Sequence, residues 1–185
     1  MHLEDALAGI AFGPGPIIVS MVAGFGLDDI RIRWPEPTAC RFIPLPGIAR
    51  GVGPVATYPA VPEIVKLFSP LGDLFVVSDE SQLHFGGLSA FMSSYYELQR
   101  ALINAGTTAG LSRSEVRGYV VSLLGMLSAT AQHTPEAQFG ALVDEHQTQG
   151  GLNKRVRAKL LEAGWFGVPA AVLKETTLLS HNKLG

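Results

Sequence analysis

Thr148-Gln149-Gly150-Gly151-Leu152-Asn153 runs straight into a charged helical stretch, Lys154 to Ala163. Two glycines ahead of a helix place a flexible turn beside amides that have no partner within the helix. Free N–H groups at the positive end of a helix dipole attract an anion. Taken alone, the hexapeptide reads first as a turn whose glycines supply unusual backbone angles, with Asn153 as N-cap. The second reading is a carboxylate site formed by the amides of Leu152 and Asn153. Lys154 and Arg155 in the first helical turn oppose the dipole, and a bound anion would offset that opposition.

Outward from this segment the C-terminal half reads as helix. Leu88, Phe91, Met92, Tyr95, Leu98 and Leu102 follow 3.6-residue spacing and predict one helix of about 25 residues. Ser112 and Glu115 form a capping box, which opens a second stripe of Val116, Tyr119, Val120, Leu123, Leu124 and Leu127. Shorter helices are expected at Pro135 to Glu145, Asn153 to Ala163 and Phe166 to Ser180. The N-terminal half alternates instead. Strands are expected at Pro16 to Ala23, Cys40 to Leu45, Pro54 to Tyr58 and Leu74 to Val77. Helices are expected at Leu27 to Trp34 and from Pro62 to Leu71, where Gly72 stops the helix. This pattern predicts an α/β layer with a mostly parallel sheet, followed by an all-α part. The boundary falls near Ser78, giving segments 1–78 and 79–185.

Composition narrows the function classes. Hydrophobic residues make up 47% of the 185 and charged residues only 16%, which points to apolar surface buried between subunits. The longest apolar helical stretch, Tyr119 to Ala131, contains Ser122, Gly125 and Ser128 and is too short to span a bilayer. The acidic start, Met1-His2-Leu3-Glu4-Asp5, is unlike a signal peptide, and a lone cysteine, Cys40, permits no internal disulfide. A cytoplasmic location is therefore expected, with no membrane partner. A net charge of −2 gives no case for nucleic acid. Five scattered histidines (His2, His84, His133, His146 and His181) share no metal-ligand spacing, so no metal is expected. Cys40 reads as a packed thiol, and His146 as a surface or packed histidine near the glycine turn.

Four landmarks in order give a more specific reading. Leu142-Val143-Asp144 with Thr148 to Asn153 resembles the L-x-D … S-P-G-G-x-T segment of pyrroline-5-carboxylate reductases. Leu88-Ser89-Ala90-Phe91-Met92-Ser93-Ser94-Tyr95 stands where that family carries L-S-G-S-G-P-A-Y. Ile43-Pro44-Leu45-Pro46-Gly47, with Gly51 and Gly53, is similar to its M-P-N-T-P … G-x-G, and Ile18 to Gly24 to its strand ending V-I-S-x-x-A-G. Departures stand beside the matches. Glycine and proline are absent after Ser89, Phe91 and Met92 replace small residues, Leu45 replaces asparagine and Asn153 replaces threonine. The resemblance implies the C-terminal part of a Rossmann-like parallel sheet followed by a helical dimerisation and substrate-binding domain. It implies a homodimer that reduces a cyclic imine acid with NADP or NAD. A small carboxylate or imino acid would lie on Ser89, Thr148, Gly150, Gly151, Leu152 and Asn153, with Pro44 and Leu45 towards the nicotinamide. Ser89 alone reads equally well as a small residue allowing close helix approach.

Such reductases hold the dinucleotide pyrophosphate on a strand, a G-x-G-x-x-G turn and a helix. That fingerprint is not in this sequence. The early cluster Gly13-Pro14-Gly15-Pro16 puts prolines where amide donors are needed and precedes a strand, so it reads as a tight turn. Two expectations follow. One is the C-terminal part of a reductase, a fragment inactive by itself. The other is a non-enzymatic dimeric binding or scaffold protein that lost the cofactor half. No catalytic residue is assigned.

Overall fold

A computed structural model describes residues 9–11, 15–22, 24–35 and 37–181. Four strands form one sheet in chain order: β1 (Ile17–Ser20), β2 (Thr38–Pro44), β3 (Pro54–Tyr58) and β4 (Asp73–Val76). β1 and β2 are parallel, as are β3 and β4, and β2 and β3 are antiparallel. Connection length explains the alternation, because a parallel return needs roughly a dozen residues or more and usually a helix. Helix α1 (Leu27–Arg33) lies between β1 and β2, and α2 (Pro62–Phe68) with a 3₁₀ turn at Ser69–Leu71 lies between β3 and β4. Between β2 and β3 there is only the short 3₁₀ turn Pro46–Arg50, which suffices for a hairpin.

β2 is covered on both faces, and that is why its sequence reads as an almost unbroken apolar run. Cys40 clusters with Val61 and Ile64 on the α2 side, where Ile17, Val19 and Phe68 also pack. The Phe42 ring stacks on Phe68 with centroids 4.2 Å apart. Ala39 joins Leu27, Ile30 and Trp34 on the α1 side. Strand alternation therefore puts Arg41 and Ile43 on the α1 side as well. Burial pushes the Cys40 thiol above its ordinary pKa, consistent with a packed residue.

Several boundaries differ from the sequence reading. β1 ends at Ser20 rather than Ala23, which lies outside the described residues, and β4 begins and ends one residue early. Of the Gly13 to Pro16 turn, Gly13 and Pro14 also lie outside them, whereas Gly15 has a φ of +113°. The larger correction concerns the expected 25-residue helix. Glu80–Phe91 is a 3₁₀ segment, and only Met92–Gly106 is α-helix, α3. Gly86 and Gly87 lie inside that segment and weaken α-helical propensity there. Ser89 is thus on a 3₁₀ segment and not within a long helix.

The capping box at Ser112 and Glu115 opens α4 (Arg113–His133). The Ser112 amide donates to Glu115 at 2.9 Å, the Glu115 amide donates to the Ser112 hydroxyl at 3.3 Å, and these bonds hold the Glu115 carboxyl below its usual range. Where one helix was expected from Pro135 there is a 3₁₀ turn, Glu136–Gln138, and then α5 (Ala141–Glu145); α6 (Leu152–Glu162) and α7 (Val168–His181) follow. The described residues up to Ser89 form one compact unit and Ala90–Ser180 a second. Within the second unit α3 and α4 share a core of Ile103, Val116 and Val120, with Leu124 against it.

Gly106 makes that helix contact possible, since a β-carbon there would fall 2.5 Å from Val116 Cγ1. Gly118, inside α4, faces open space. Gly106→Ala should destabilise by about 1–3 kcal/mol through overpacking against a stiff valine. Gly118→Ala should stabilise by about 0.5–1 kcal/mol through helix propensity. Urea midpoints of the two variants moving in the same direction would contradict the α3–α4 packing.

Candidate functional site

The first unit holds a cavity of ≈ 280 Å³ on the α1 side of the sheet. Ile43, Leu45, Pro54 and Ala56 form its floor, and Ile43 and Ala56 are register partners across β2 and β3. Phe85, Gly86, Leu88 and Ser89, all from the 3₁₀ segment, complete its lining. Phe85 is steadied by an edge contact with Phe75 of β4, centroids 6.1 Å apart. The Ser89 hydroxyl is the one polar side-chain group in the lining, and no charged residue contributes. The site therefore suits an uncharged ring or chain with a single polar contact. It lies towards the carboxyl end of β2, the end at which α/β sheets ordinarily bind ligands.

Two of the sequence-derived site residues, Leu45 and Ser89, meet in this cavity, and Pro44 closes β2 beside it. The others lie in the second unit. There the Gly151 amide donates to the Thr148 carbonyl at 2.8 Å, closing a turn whose third residue, Gly150, has a φ of +72°. Gly151 has a φ of −68° and is itself the N-cap of α6, with no side-chain cap bond. Asn153, expected as the N-cap, is instead the second helical residue, because the helix starts at Leu152. The first α6 backbone bond runs from the Arg155 amide to the Gly151 carbonyl at 3.3 Å. Helix geometry leaves the amides of Leu152 and Asn153 ahead of that bond, without an intrahelical acceptor. Of the basic residues, Arg157 lies over the Phe166 ring at 5.9 Å, while Lys154 and Arg155 stay exposed.

One feature near the cavity was not read from sequence. Glu80 Oε1 accepts from Arg41 Nη1 at 3.1 Å and from the Leu27 amide at 3.0 Å. Arg41 is a lone cation in an apolar strand, and that was the available signal. The same contacts bear on phosphate binding. Gly24-Phe25-Gly26 lies between β1 and α1, as a phosphate-binding glycine turn would. Yet Asp29 Oδ2 takes the Gly26 amide at 2.8 Å and Glu80 takes the Leu27 amide. Carboxylates already hold the donors that a pyrophosphate would need, and their charge repels it. The described residues do not fit that part of a dinucleotide.

Other candidates are accounted for locally. His146 Nδ1 lies 2.8 Å from the Leu142 carbonyl one turn back in its own helix, so it serves as a donor there. Among the described residues no cluster of His, Cys, Asp or Glu could hold a metal ion, and no helix is long and apolar enough to cross a membrane.

No protein-family model and no curated protein sequence matches the chain. Solved structures do. A 1-pyrroline-5-carboxylate reductase from Streptococcus pyogenes superposes with a TM-score of 0.81 at 18% identity, over 94% of this chain and 70% of that one. The Plasmodium falciparum pyrroline carboxylate reductase with NADP bound gives 0.77 at 16%, over 91% and 71%. A pyrroline-5-carboxylate reductase from Coxiella burnetii gives 0.76 at 16%, over 99% and 69%. At these identities the likeness is one of fold: an α/β Rossmann-like part followed by a helical domain, as in pyrroline-5-carboxylate reductases.

The occupied glycine-turn amides predict that the 185-residue chain binds NADPH no more tightly than about 1 mM. Calorimetry giving a micromolar dissociation constant would refute this.

Proposed function

We propose that this chain is the ring-accepting, carboxylate-holding and dimer-forming part of a pyrroline-5-carboxylate-reductase-like oxidoreductase acting on a cyclic imine acid. The observation that carries the reading is the meeting of Leu45 and Ser89 in one apolar cavity at the carboxyl end of β2. Those residues come from two segments that independently resemble the reductases, and the fold likeness agrees with them. A reduced nicotinamide supplies the hydride for such chemistry, and the protein supplies position and polarity. The cavity suits an uncharged ring, and Pro44 and Leu45 are the residues proposed to face the nicotinamide. In the second unit the amides of Leu152 and Asn153, with the side chains of Thr148 and Asn153, are proposed to hold a carboxylate. No residue is assigned as the proton donor to the imine nitrogen. The pyrophosphate has no fitting site among the described residues, so the chain alone is not expected to turn over.

A second reading keeps the helical unit and drops the chemistry: a dimeric binding or scaffold protein derived from the same fold. The carboxylates of Asp29 and Glu80 on the glycine-turn amides favour it.

The carboxylate proposal is tested by titrating ¹⁵N-labelled protein with proline. Two charge-assisted hydrogen bonds, each worth roughly 1.5–3 kcal/mol, support binding on the order of millimolar. Amides of residues 150–153 should shift first. Gly151→Val should abolish the response, because a β-carbon there would meet the Thr148 carbonyl oxygen at 2.9 Å. Silent wild-type amides, or an equal response from the variant, would leave the Gly-Gly turn as a turn only.

Dimerisation is tested separately. Tyr119 is 70% exposed and Leu152 66%, while the described core of the helical unit is Ile103, Val116 and Val120. A unit so thinly cored should need a second copy to cover its apolar side chains. Sedimentation at micromolar concentration should give a dimer, and a folded, stable monomer would overturn the proposal.

A further inference from the structure

We infer that Glu80 is the positioning residue of the cavity: its bonds to Arg41 and Leu27 fix the 3₁₀ segment whose Phe85, Leu88 and Ser89 form the outer wall. The inference concerns the cavity itself and holds for any ligand that enters it.

Glu80 is the first residue of the segment Glu80–Phe91. One of its oxygens joins three parts of the unit: the segment, the start of α1 through the Leu27 amide, and the centre of β2 through Arg41. The Arg41 side chain is 11% exposed and the Glu80 side chain 28%, so solvent screens the pair only in part. Arg41 Nη2 also reaches the Val22 carbonyl at 3.4 Å, tying the chain beyond β1 to the same point. Arg41, Ile43 and Leu45 follow one another on one side of the chain, spaced roughly 6–7 Å apart. The segment runs over them in the same order, with Glu80 at Arg41 and Gly86 near Ile43. A β-carbon on Gly86 would lie 4.0 Å from Ile43 Cγ2.

Beyond the Phe85–Phe75 edge contact, the packing of the outer wall is partial. Leu83 is buried, at 5% exposure, but Leu88 is 65% exposed and Phe85 39%. The polar bonds around Ser78, Asp79, Ser81 and Gln82 are local to the start of the segment. The charge-assisted bond to the sheet at Glu80, with buried Leu83 and the Phe85–Phe75 contact, therefore sets how closely the wall approaches its floor.

The test uses the full chain and needs no ligand. Ser89→Cys places a thiol in the wall, and Cys40, fully buried, adds no background reactivity. In that background Glu80→Gln keeps an acceptor for the Leu27 amide and removes the charge facing Arg41. Iodoacetamide modification at position 89, and hydrogen exchange of residues 83–91, should rise about tenfold or more, as loss of one charge-assisted hydrogen bond gives. Exchange in α2 and β3 should hold within about twofold, which separates positioning from general loosening of the fold. Arg41→Lys keeps the charge but cannot span Glu80 and Val22, and it should give the same local pattern with a smaller rise. It also serves if Glu80→Gln fails to fold. Unchanged rates at 83–91, or a rise shared equally by α2 and β3, would overturn the assignment. Neither outcome depends on whether the protein acts on imines, so the positioning role and the reductase reading fail separately.

Discussion

A guanidinium on the inward face of a sheet must find a counter-charge, because an isolated buried ion costs several kcal/mol in lost hydration. Arg41 stands on β2 between Cys40 and Phe42, both fully buried, and its own Nε is buried without a hydrogen-bond acceptor among the described residues. Glu80 is the group that meets this demand, and it comes from a distant part of the chain. The consequences are geometric. The chain after β4 must return across the α1 side of the sheet, and the start of α1 must come close enough to share the same carboxylate. Gly26 allows that approach, since a β-carbon there would lie 3.3 Å from Glu80 Oε1. Buried pairs with an orphaned donor add little net stability. What this one supplies is placement, and the cavity lies along the path it dictates.

The same carboxylate separates two regions of the first unit with opposite character. At the carboxyl end of β2 the walls are apolar and an uncharged ring fits. At the glycine turn before α1 the amides that would hold phosphates already hold Asp29 and Glu80. A helix start is an anion site only while its amides remain free, and a carboxylate from the chain itself satisfies donors and dipole together. α1 has made that choice. α6 has not: Gly151 brings no side chain to its cap and the first turn carries no acidic residue.

The legible parts of the fold were those fixed by local chemistry. β3 begins and ends where its sequence indicated, since Pro54 opens it and Pro59 follows it. The Ser112–Glu115 box marks the start of α4 because both halves of that motif lie within four residues. The failures have physical sources both in contacts at long sequence separation and in local turns and glycines. Apolar spacing from Leu88 to Leu102 satisfies a helical template, yet Glu80 is tied to the sheet, Leu83 is buried and two glycines lower the cost of leaving α geometry. Asn153 is a better cap than glycine by propensity. The Thr148–Gly151 turn nevertheless puts the cap two residues earlier, at Gly151, and the helix starts at Leu152. The cavity was legible only through resemblance, which supplied Leu45 and Ser89 as site residues but neither Phe85 nor Ala56.

Fold and site also rest on different residues, and this explains how the architecture persists at 16–18% identity to its structural neighbours. The sheet needs alternation in β2, helical crossovers before β2 and before β4, and a short hairpin between β2 and β3. Many apolar sequences meet those needs at similar volume. The departures from the reductase pattern fall elsewhere. Leu45 contributes no donor or acceptor where the family has asparagine, so one wall of the cavity recognises shape alone. Asn153 offers an amide where the resembling segment has a hydroxyl, in the first turn of α6. The carboxylate site proposed in the second unit would rest on backbone amides, while the cavity of the first unit is lined by side chains that are almost all apolar.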